Sequence, residues 1–167
     1  MKSLYSTLIA IVAFVVFAPV SAMGDTWGEP INDPTRFVVL ISFNNEAVLD
    51  NETRLVWEQS PDTGTRSWAN AQAHCYQSNV GSRRGWRLPT VEELASLVDT
   101  TQFAPALPID HPFTNVQSSD YWSATTLASS PGLAWFVNFT GGGVGFDDLT
   151  IFNFVWCVRG GQGVDPQ

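Results

Sequence analysis

The spacing of apolar residues predicts short β-strands in the first third of the chain. Residues 37–43 form a nearly continuous apolar run that predicts a strand. Residues 46–49 and 54–57 predict two more strands, and the polar turn at residues 50–53 between them predicts a β-hairpin. The segment 60–64 contains serine, proline, aspartate and glycine, which are typical of a loop.

Two helices are predicted in the middle of the chain. Residues 68–75 are rich in good helix formers and predict the first. The second has a sharper start, because Thr90 and Glu93 have the spacing of a capping box, in which each side chain accepts a hydrogen bond from the other residue's backbone. Apolar residues at helical spacing follow and predict that this helix ends near Asp99 or Thr100.

The last third of the chain predicts a long loop followed by strands. Residues 101–120 contain three prolines and no clear period, so they predict a surface loop. Strands are predicted at residues 121–125, 134–139 and 155–159, with a glycine-rich turn at residues 141–145 that leads into a further short strand. A hairpin, two helices and a terminal run of antiparallel strands together indicate an α+β fold.

The N-terminus has the features of a secretory signal peptide. A short charged start precedes 13 apolar residues at positions 8–20, and small residues follow at the cleavage point. A transmembrane anchor needs about 20 apolar residues, so the run predicts cleavage and export to the periplasm or the exterior. The predicted segments are a signal peptide (1–22), a flexible lead-in rich in glycine and proline (23–35), a single domain (36–161) and a tail (162–167).

The charge balance narrows the classes of partner. The chain has 16 acidic residues against 8 basic ones, and its only lysine, Lys2, lies in the predicted signal peptide. Nucleic acid is disfavoured as a partner, because phosphate binding needs a basic surface. The same negative field disfavours sulfated polysaccharides and suits cationic partners or calcium.

Cys75 and Cys157 are the only cysteines of the chain. In an exported protein an even count favours a disulfide, which here joins the first predicted helix to the last predicted strand. A shared metal site is the alternative, but Cys75 beside His74 with one remote cysteine matches no usual ligand spacing. We therefore expect one disulfide and no bound metal at the cysteines.

Five sequence blocks share their order and spacing with a known family. They are Trp68-x2-Ala71-x3-Cys75, Gly85-Trp-Arg-Leu-Pro-Thr90-x2-Glu93-Leu94-x2-Leu97, Tyr121-Trp-Ser-Ala-Thr125, Ala134-Trp-Phe-Val137 and Cys157-Val-Arg-Gly-Gly161. Over about residues 46–161 the chain resembles the C-terminal domain of the Legionella collagen-like adhesin. The motif residues to which we assign a structural role are Trp86, Arg87, Leu88, Pro89, Thr90, Glu93, Trp122, Trp135 and Arg159.

The resemblance implies a C-type-lectin-like fold, in which two helices flank small antiparallel sheets and long loops carry the ligand contacts. It also implies an adhesin-like binding role, since the named adhesin is linked with host glycosaminoglycans. This chain departs from that case, because it has no collagen-like repeat and its acidic composition suits a polyanion poorly. The motifs with which calcium-dependent lectins hold sugars are also missing, so calcium-dependent sugar binding does not carry over.

Seven tryptophans suggest a surface on which sugar rings stack. We interpret those in the family blocks as core residues instead, because they lie beside predicted helices or strands; they are Trp68, Trp86, Trp122, Trp135 and Trp156. Arg87 and Arg159 lie within apolar blocks, where a guanidinium needs a partner. We expect each to pair with a carboxylate, such as Glu93 or Asp99, or with a backbone carbonyl, and contact with a ligand is the less favoured alternative.

Three aspartates, Asp120, Asp147 and Asp148, are the candidate ligand-binding residues. Their carboxylates are the ligand type that calcium prefers, so calcium is the one cofactor considered, although a solvated turn is the simpler interpretation. The predicted ligand surface consists of three loops, at residues 101–120, 126–132 and 140–150.

The sequence supports a catalytic function less well than it supports ligand binding. His111 with Ser118, Ser119 and Asp120 is the only triad that the sequence offers, and no nucleophile motif marks the serines. We therefore predict an exported, non-enzymatic binding module of the bacterial envelope or exterior, with a glycan or an envelope protein as ligand. The alternatives are a structural, self-associating surface or adhesin subunit and, less favoured, a hydrolase. The sequence leaves the oligomeric state open.

Overall fold

The computed structural model describes residues 34–160, which form an α+β fold with one disulfide. The strands in this part of the chain are β1 (Phe37–Val39), β2 (Ala47–Asp50), β3 (Val56–Glu58), β4 (Asp62–Arg66), β5 (Asp120–Leu127), β6 (Ser130–Asn138), β7 (Val144–Asp148), β8 (Asn153–Val155) and β9 (Val158–Arg159). The helices α1 (Trp68–Gln77) and α2 (Val91–Ala95) lie between β4 and β5. The predicted signal peptide, the tail and all but the end of the lead-in lie outside the described residues.

The first sheet is antiparallel and has the strand order β1-β2-β3-β9. The predicted hairpin is its centre, with Val48 of β2 opposite Trp57 of β3. Residues directly opposite each other in a sheet have their side chains on the same face. Val48 and Trp57 are both fully buried, so this face is turned towards the core. The strand predicted at residues 37–43 is shorter than expected, because Ile41–Phe43 form a 3-10 turn and Asn44 follows in the left-handed region.

The second sheet is mixed and has the strand order β4-β8-β5-β6-β7. Its longest pair is the antiparallel hairpin of β5 and β6, in which Tyr121 lies opposite Val137. β8 runs parallel to β5 on the other side. Within residues 34–160, β7 pairs with β6 alone, so β7 is an edge strand.

The prediction of a loop at residues 60–64 is wrong for residues 62–64, which belong to β4. β4 has the sequence Asp-Thr-Gly-Thr-Arg and contains no apolar residue. It pairs with β8, with Asp62 opposite Val155 and Arg66 opposite Asn153 across an irregular register. Partner strands therefore determine this element, and no local pattern could have indicated it.

The C-terminal segment joins the two sheets. The sequence predicts one strand over residues 155–159, but the chain divides into β8 in the second sheet and β9 in the first. Between them Trp156 and Cys157 are fully buried. The Trp156 indole donates a hydrogen bond to the carbonyl of Glu58 at 2.8 Å. This short crossing thus fixes both sheets to a common core.

Cys75 and Cys157 form the predicted disulfide, with their Cα atoms 5.4 Å apart. The bridge ties α1 to the crossing between β8 and β9. The surrounding apolar cluster includes Trp86, Leu88 and Trp122. The core prediction is confirmed for Trp86, Trp122 and Trp156, whereas Trp68 and Trp135 are only half-buried.

The predicted capping box is present at the start of α2. The Thr90 hydroxyl accepts a hydrogen bond from the Glu93 N–H at 3.2 Å, and the Glu93 carboxylate accepts one from the Thr90 N–H at 2.8 Å. The helix is shorter than predicted and ends at Ala95, where the Ser96 hydroxyl donates to the Glu93 carbonyl at 2.7 Å. The predicted start is therefore confirmed, and the predicted end near Asp99 is wrong.

Candidate binding groove

The three aspartates predicted to bind a ligand do not form one cluster. Asp120 lies opposite Asn138 at one end of β6, and Asp147 lies opposite Ala134, four residues along the same strand. At about 3.3 Å per residue this places them roughly 13 Å apart along the sheet. Asp148 follows Asp147 on β7, so the two side chains point to opposite faces of the sheet. The three side chains therefore cannot share one cation.

Each of these aspartates also has a local partner. Asp120 accepts a hydrogen bond from the Asn138 amide at 2.7 Å, Asp147 accepts one from Asn153 at 3.2 Å, and Asp148 accepts one from Thr150 at 2.7 Å. Within residues 34–160 no group of three or more His, Cys, Asp or Glu side chains is placed to hold a metal ion. These aspartates therefore stabilise turns and strand pairs.

Of the three loops predicted to bind a ligand, one is tied to the core and the other two are largely occupied by strands. Residues 101–120 form the predicted long loop, but its backbone is tied to the core, since the Ala106 N–H donates to the Phe139 carbonyl at 2.8 Å. The loop predicted at residues 126–132 is wrong, because β5 extends to Leu127 and β6 begins at Ser130. β7 likewise occupies the middle of the predicted turn at residues 140–150.

The residues of the hypothetical triad are not assembled. Within the described chain no hydrogen bond joins His111 to Ser118, Ser119 or Asp120, and the Nδ1 atom of His111 is buried without a partner. The imidazole stacks beside Phe113 with ring centroids 5.9 Å apart. Burial lowers the pKa of His111. These contacts indicate that His111 is a packing residue in this loop.

A groove of about 900 Å³ lies elsewhere, between α1 and the family block at residues 85–90. The helix side of the groove is formed by Ala69, Gln72, Ala73 and Tyr76. The opposite side is formed by the block itself, and Ala124 and Gly160 complete the lining. The volume is within the range typical of ligand sites.

The helix side of the groove follows from the periodicity of α1. Ala71 and Cys75 face the core and are fully buried, so residues about half a turn away from them face outward. Ala69 and Ala73 have only methyl side chains, which leave room above the helix. Tyr76, one turn further on, is 81% exposed. An exposed aromatic ring beside small residues is an arrangement typical of binding surfaces.

The opposite side of the groove is rigid because Arg87 is fully engaged. Its guanidinium donates two hydrogen bonds of 2.7 Å to the Glu93 carboxylate and one of 2.8 Å to the Gly160 carbonyl. Although burial opposes ionisation, hydrogen bonds from Arg87 and Thr90 lower the pKa of Glu93. The backbone of Arg87 also exchanges both hydrogen bonds with Val158 of β9. The predicted structural pairing of Arg87 is confirmed.

The predicted pairing of Arg159 is wrong. Its guanidinium lies over the ring of Phe43, 5.6 Å from the centroid, and Arg83 lies at the same distance from this ring. Within residues 34–160 neither arginine has a carboxylate at ion-pair distance or a side-chain hydrogen bond. Burial and the neighbouring Arg83 lower the pKa of Arg159. We call Arg83, Arg84 and Arg159 the arginine patch.

The arginine patch adjoins the groove at Gly85. This glycine lines the groove, has φ +89°, and lies beside Arg159, whose Nε is 3.6 Å from where a Cβ would be. Glycine accepts such a positive φ without strain, so it allows the chain to turn from Arg84 into the groove wall.

The chain matches a model of a known protein family. The family model described as the Lcl C-terminal domain matches residues 46–159. No curated protein matched the chain. Within the described residues, no helix is long and apolar enough to cross a membrane. The predicted family resemblance is confirmed, and the matched range contains the groove-forming helix, residues 85–90 and both cysteines.

Proposed function

Because this chain belongs to the Lcl C-terminal domain family, an adhesin-associated module, we propose that it is an exported, non-enzymatic binding module. Its ligand, a glycan or a protein, binds in the groove between α1 and residues 85–90. The observation that carries this proposal is the groove itself. It is mostly apolar, it has an exposed tyrosine on one side, and residues of the family block form the other.

Three observations support the rest of the proposal. A disulfide is compatible with an oxidising compartment outside the cytoplasm. The hydrolase hypothesis has little support, since His111 packs against Phe113 and has no serine partner in the described chain. Two helices packed on small sheets, with a disulfide from the first helix to the last strand pair, favour a C-type-lectin-like fold.

We predict that Tyr76→Ala weakens ligand binding by at least about tenfold, because an aromatic side chain on a binding surface commonly carries this much of the affinity. The matched control is Phe103→Ala, which removes a ring that is 75% exposed from the loop that the sequence favoured. Glycan and peptide arrays with and without calcium provide the ligand, and calorimetry gives the affinities.

The two substitutions separate the two candidate surfaces. Since both side chains are exposed, both variants are expected to keep the stability of the parent protein. If only Phe103→Ala loses binding, the ligand binds at the loop of residues 101–120 and not in the groove. Equal binding by both variants would contradict the proposal, as would the absence of any array ligand in either condition.

A second candidate function is self-association through the edge strand β7. Val144 and Phe146 on this strand are about half exposed, and Phe146 packs edge-on against Trp135 with centroids 5.5 Å apart. An edge strand with exposed apolar residues can pair with another strand. This supports the alternative of a structural or adhesin subunit that assembles with its own copies.

If β7 mediates self-association, Phe146→Lys will shift the protein towards the monomer, because a lysine on an edge strand opposes pairing. Light scattering over a wide concentration range measures this shift, and Phe103→Lys is the control for added charge. A parent protein that stays monomeric at the highest concentration removes this alternative.

A further inference from the structure

The arginine patch is unusual in a chain with a formal net charge of −8. Of the three side chains, Arg84 donates only to the Gln77 carbonyl, and the other two surround Phe43 without an acidic partner in the described chain. Two neighbouring like charges repel each other, and an anion between them would relieve that repulsion. The patch therefore has the chemistry of an oxyanion site, and its position places that site at one end of the groove.

The groove wall also has unused backbone donors. Arg87 exchanges both of its backbone hydrogen bonds with Val158, so the N–H groups of Trp86 and Leu88 point to the opposite side. Within residues 34–160 neither of these N–H groups has an acceptor. Both residues line the groove, and their side chains are buried in the apolar cluster around the disulfide, so the backbone that carries these donors is held in place.

We propose that the groove binds an extended acidic peptide, which pairs with the backbone at residues 86–88 while its carboxylates bind Arg83 and Arg159. This inference deepens the function proposed above and rests on it. The two free N–H groups are about 7 Å apart, which is the repeat of carbonyls along one edge of an extended strand. Addition of a strand to a free edge is a common mode of peptide recognition.

The same observations favour a peptide over an anionic glycan. A uronic acid chain could satisfy the arginines and stack on Tyr76, but its oxygens do not repeat with the spacing of a β-strand. The small residues Ala69 and Ala73 across the groove leave room for the alternate side chains of an added strand. Charge complementarity with the arginine patch then selects peptides with acidic residues at one end.

The test uses synthetic peptides with the full protein. The probes are Ac-Val-Thr-Val-Thr-Glu-Glu-NH2 and the reversed order, since either strand direction would satisfy the donors. Control peptides replace both glutamates by glutamine or carry N-methyl groups on alternate residues. The protein variants are Arg83→Gln/Arg159→Gln and, as a charge control, Arg54→Gln, whose guanidinium bonds Asn51 at the β2–β3 turn.

We expect one acidic peptide to bind the parent protein at least about tenfold more tightly than its glutamine counterpart, because charged hydrogen bonds contribute this much. The double arginine variant should abolish that preference, whereas Arg54→Gln should retain it. Alternate N-methylation should weaken binding by about tenfold or more, because the methyl groups hold the peptide backbone away from the N–H groups at residues 86–88. Added salt should reduce the preference in the parent protein.

Several outcomes would overturn the inference. They are equal binding of the acidic and glutamine peptides, an equal loss in the Arg54 variant, and full tolerance of N-methylation. Binding of an oligogalacturonate but of neither peptide, with loss in the double arginine variant, would identify a glycan instead. If array ligands depend on Tyr76 while no acidic peptide binds, the proposed function stands and this inference alone fails.

Discussion

Replacing Cys75 and Cys157 together by alanine will lower the free energy of unfolding by about 4–5 kcal/mol. The bridge closes a loop of 82 residues, and in the chain-entropy model a loop of that length restricts the unfolded state by about this amount. Urea unfolding followed by tryptophan fluorescence measures the change, since Trp86 and Trp122 lie in the apolar cluster around the bridge.

Loss of the disulfide should also have a local effect, because of the place of Cys157 in the fold. Cys157 lies where the chain crosses from the second sheet to the first, and its N–H and carbonyl both bond Glu58. Cys75 lies on the inner face of α1, whose outer face forms one side of the groove. Loss of the bridge should therefore loosen α1 and weaken ligand binding, even under conditions where the double variant remains folded.

Two measurements check this interpretation. A reducing agent should lower the stability of the parent protein to that of the double variant, and it should leave the double variant unchanged. A loss smaller than about 1 kcal/mol would show that the packing of Trp86, Trp122 and the crossing segment holds α1 without the bridge.

The elements that the sequence predicted well are those encoded by neighbouring residues. The hairpin of β2 and β3 follows from two apolar runs around a polar turn, and the start of α2 follows from the spacing of Thr90 and Glu93. The pairing of Arg87 with Glu93 belongs to the same block. In each case the interacting groups are close in sequence, so the sequence pattern itself indicates the contact.

The elements that the sequence missed depend on distant residues. β4 has no apolar residue and exists because β8 lies beside it. The groove has the same origin, since β9 fixes residues 86–88 and the disulfide fixes α1. One local signal was available: the outward positions of α1 carry Ala69, Ala73 and Tyr76 where a solvated helix usually has charged residues. The free arginines could not be recognised, because their lack of partners is a tertiary property.

The contribution of Glu58 to the stability of the domain will fall as the pH rises from about 4.5 to 7. Glu58 is buried beside the disulfide. Burial raises its pKa from 4.5 to about 7, although hydrogen bonds from the Cys157 N–H and the Ser78 hydroxyl favour the charged form. The folded state thus holds a proton that the unfolded state releases, so the contribution is complete below pH 4.5 and is lost as pH passes 7.

Glu58→Gln removes this titration and keeps the shape of the side chain. The glutamine oxygen can accept the Cys157 N–H, and its amide can donate to the Ser78 hydroxyl. At pH 8 we expect the variant to be more stable than the parent protein by about 3 kcal/mol, the value of a shift of this size. Near pH 4 the two proteins should have similar stability. Urea unfolding across this pH range gives both curves.

The difference between the two curves isolates Glu58 from other titrating groups. Burial and Arg66 lower the pKa of His74, and burial lowers that of His111, so these groups add stability with rising pH, opposite to Glu58. Both are present in both proteins and cancel. Glu92→Gln, at an exposed position of α2, serves as the control for loss of one negative charge. A pH-independent difference would mean that Glu58 stays ionised in the fold, with Arg66 and the two hydrogen bonds compensating its burial.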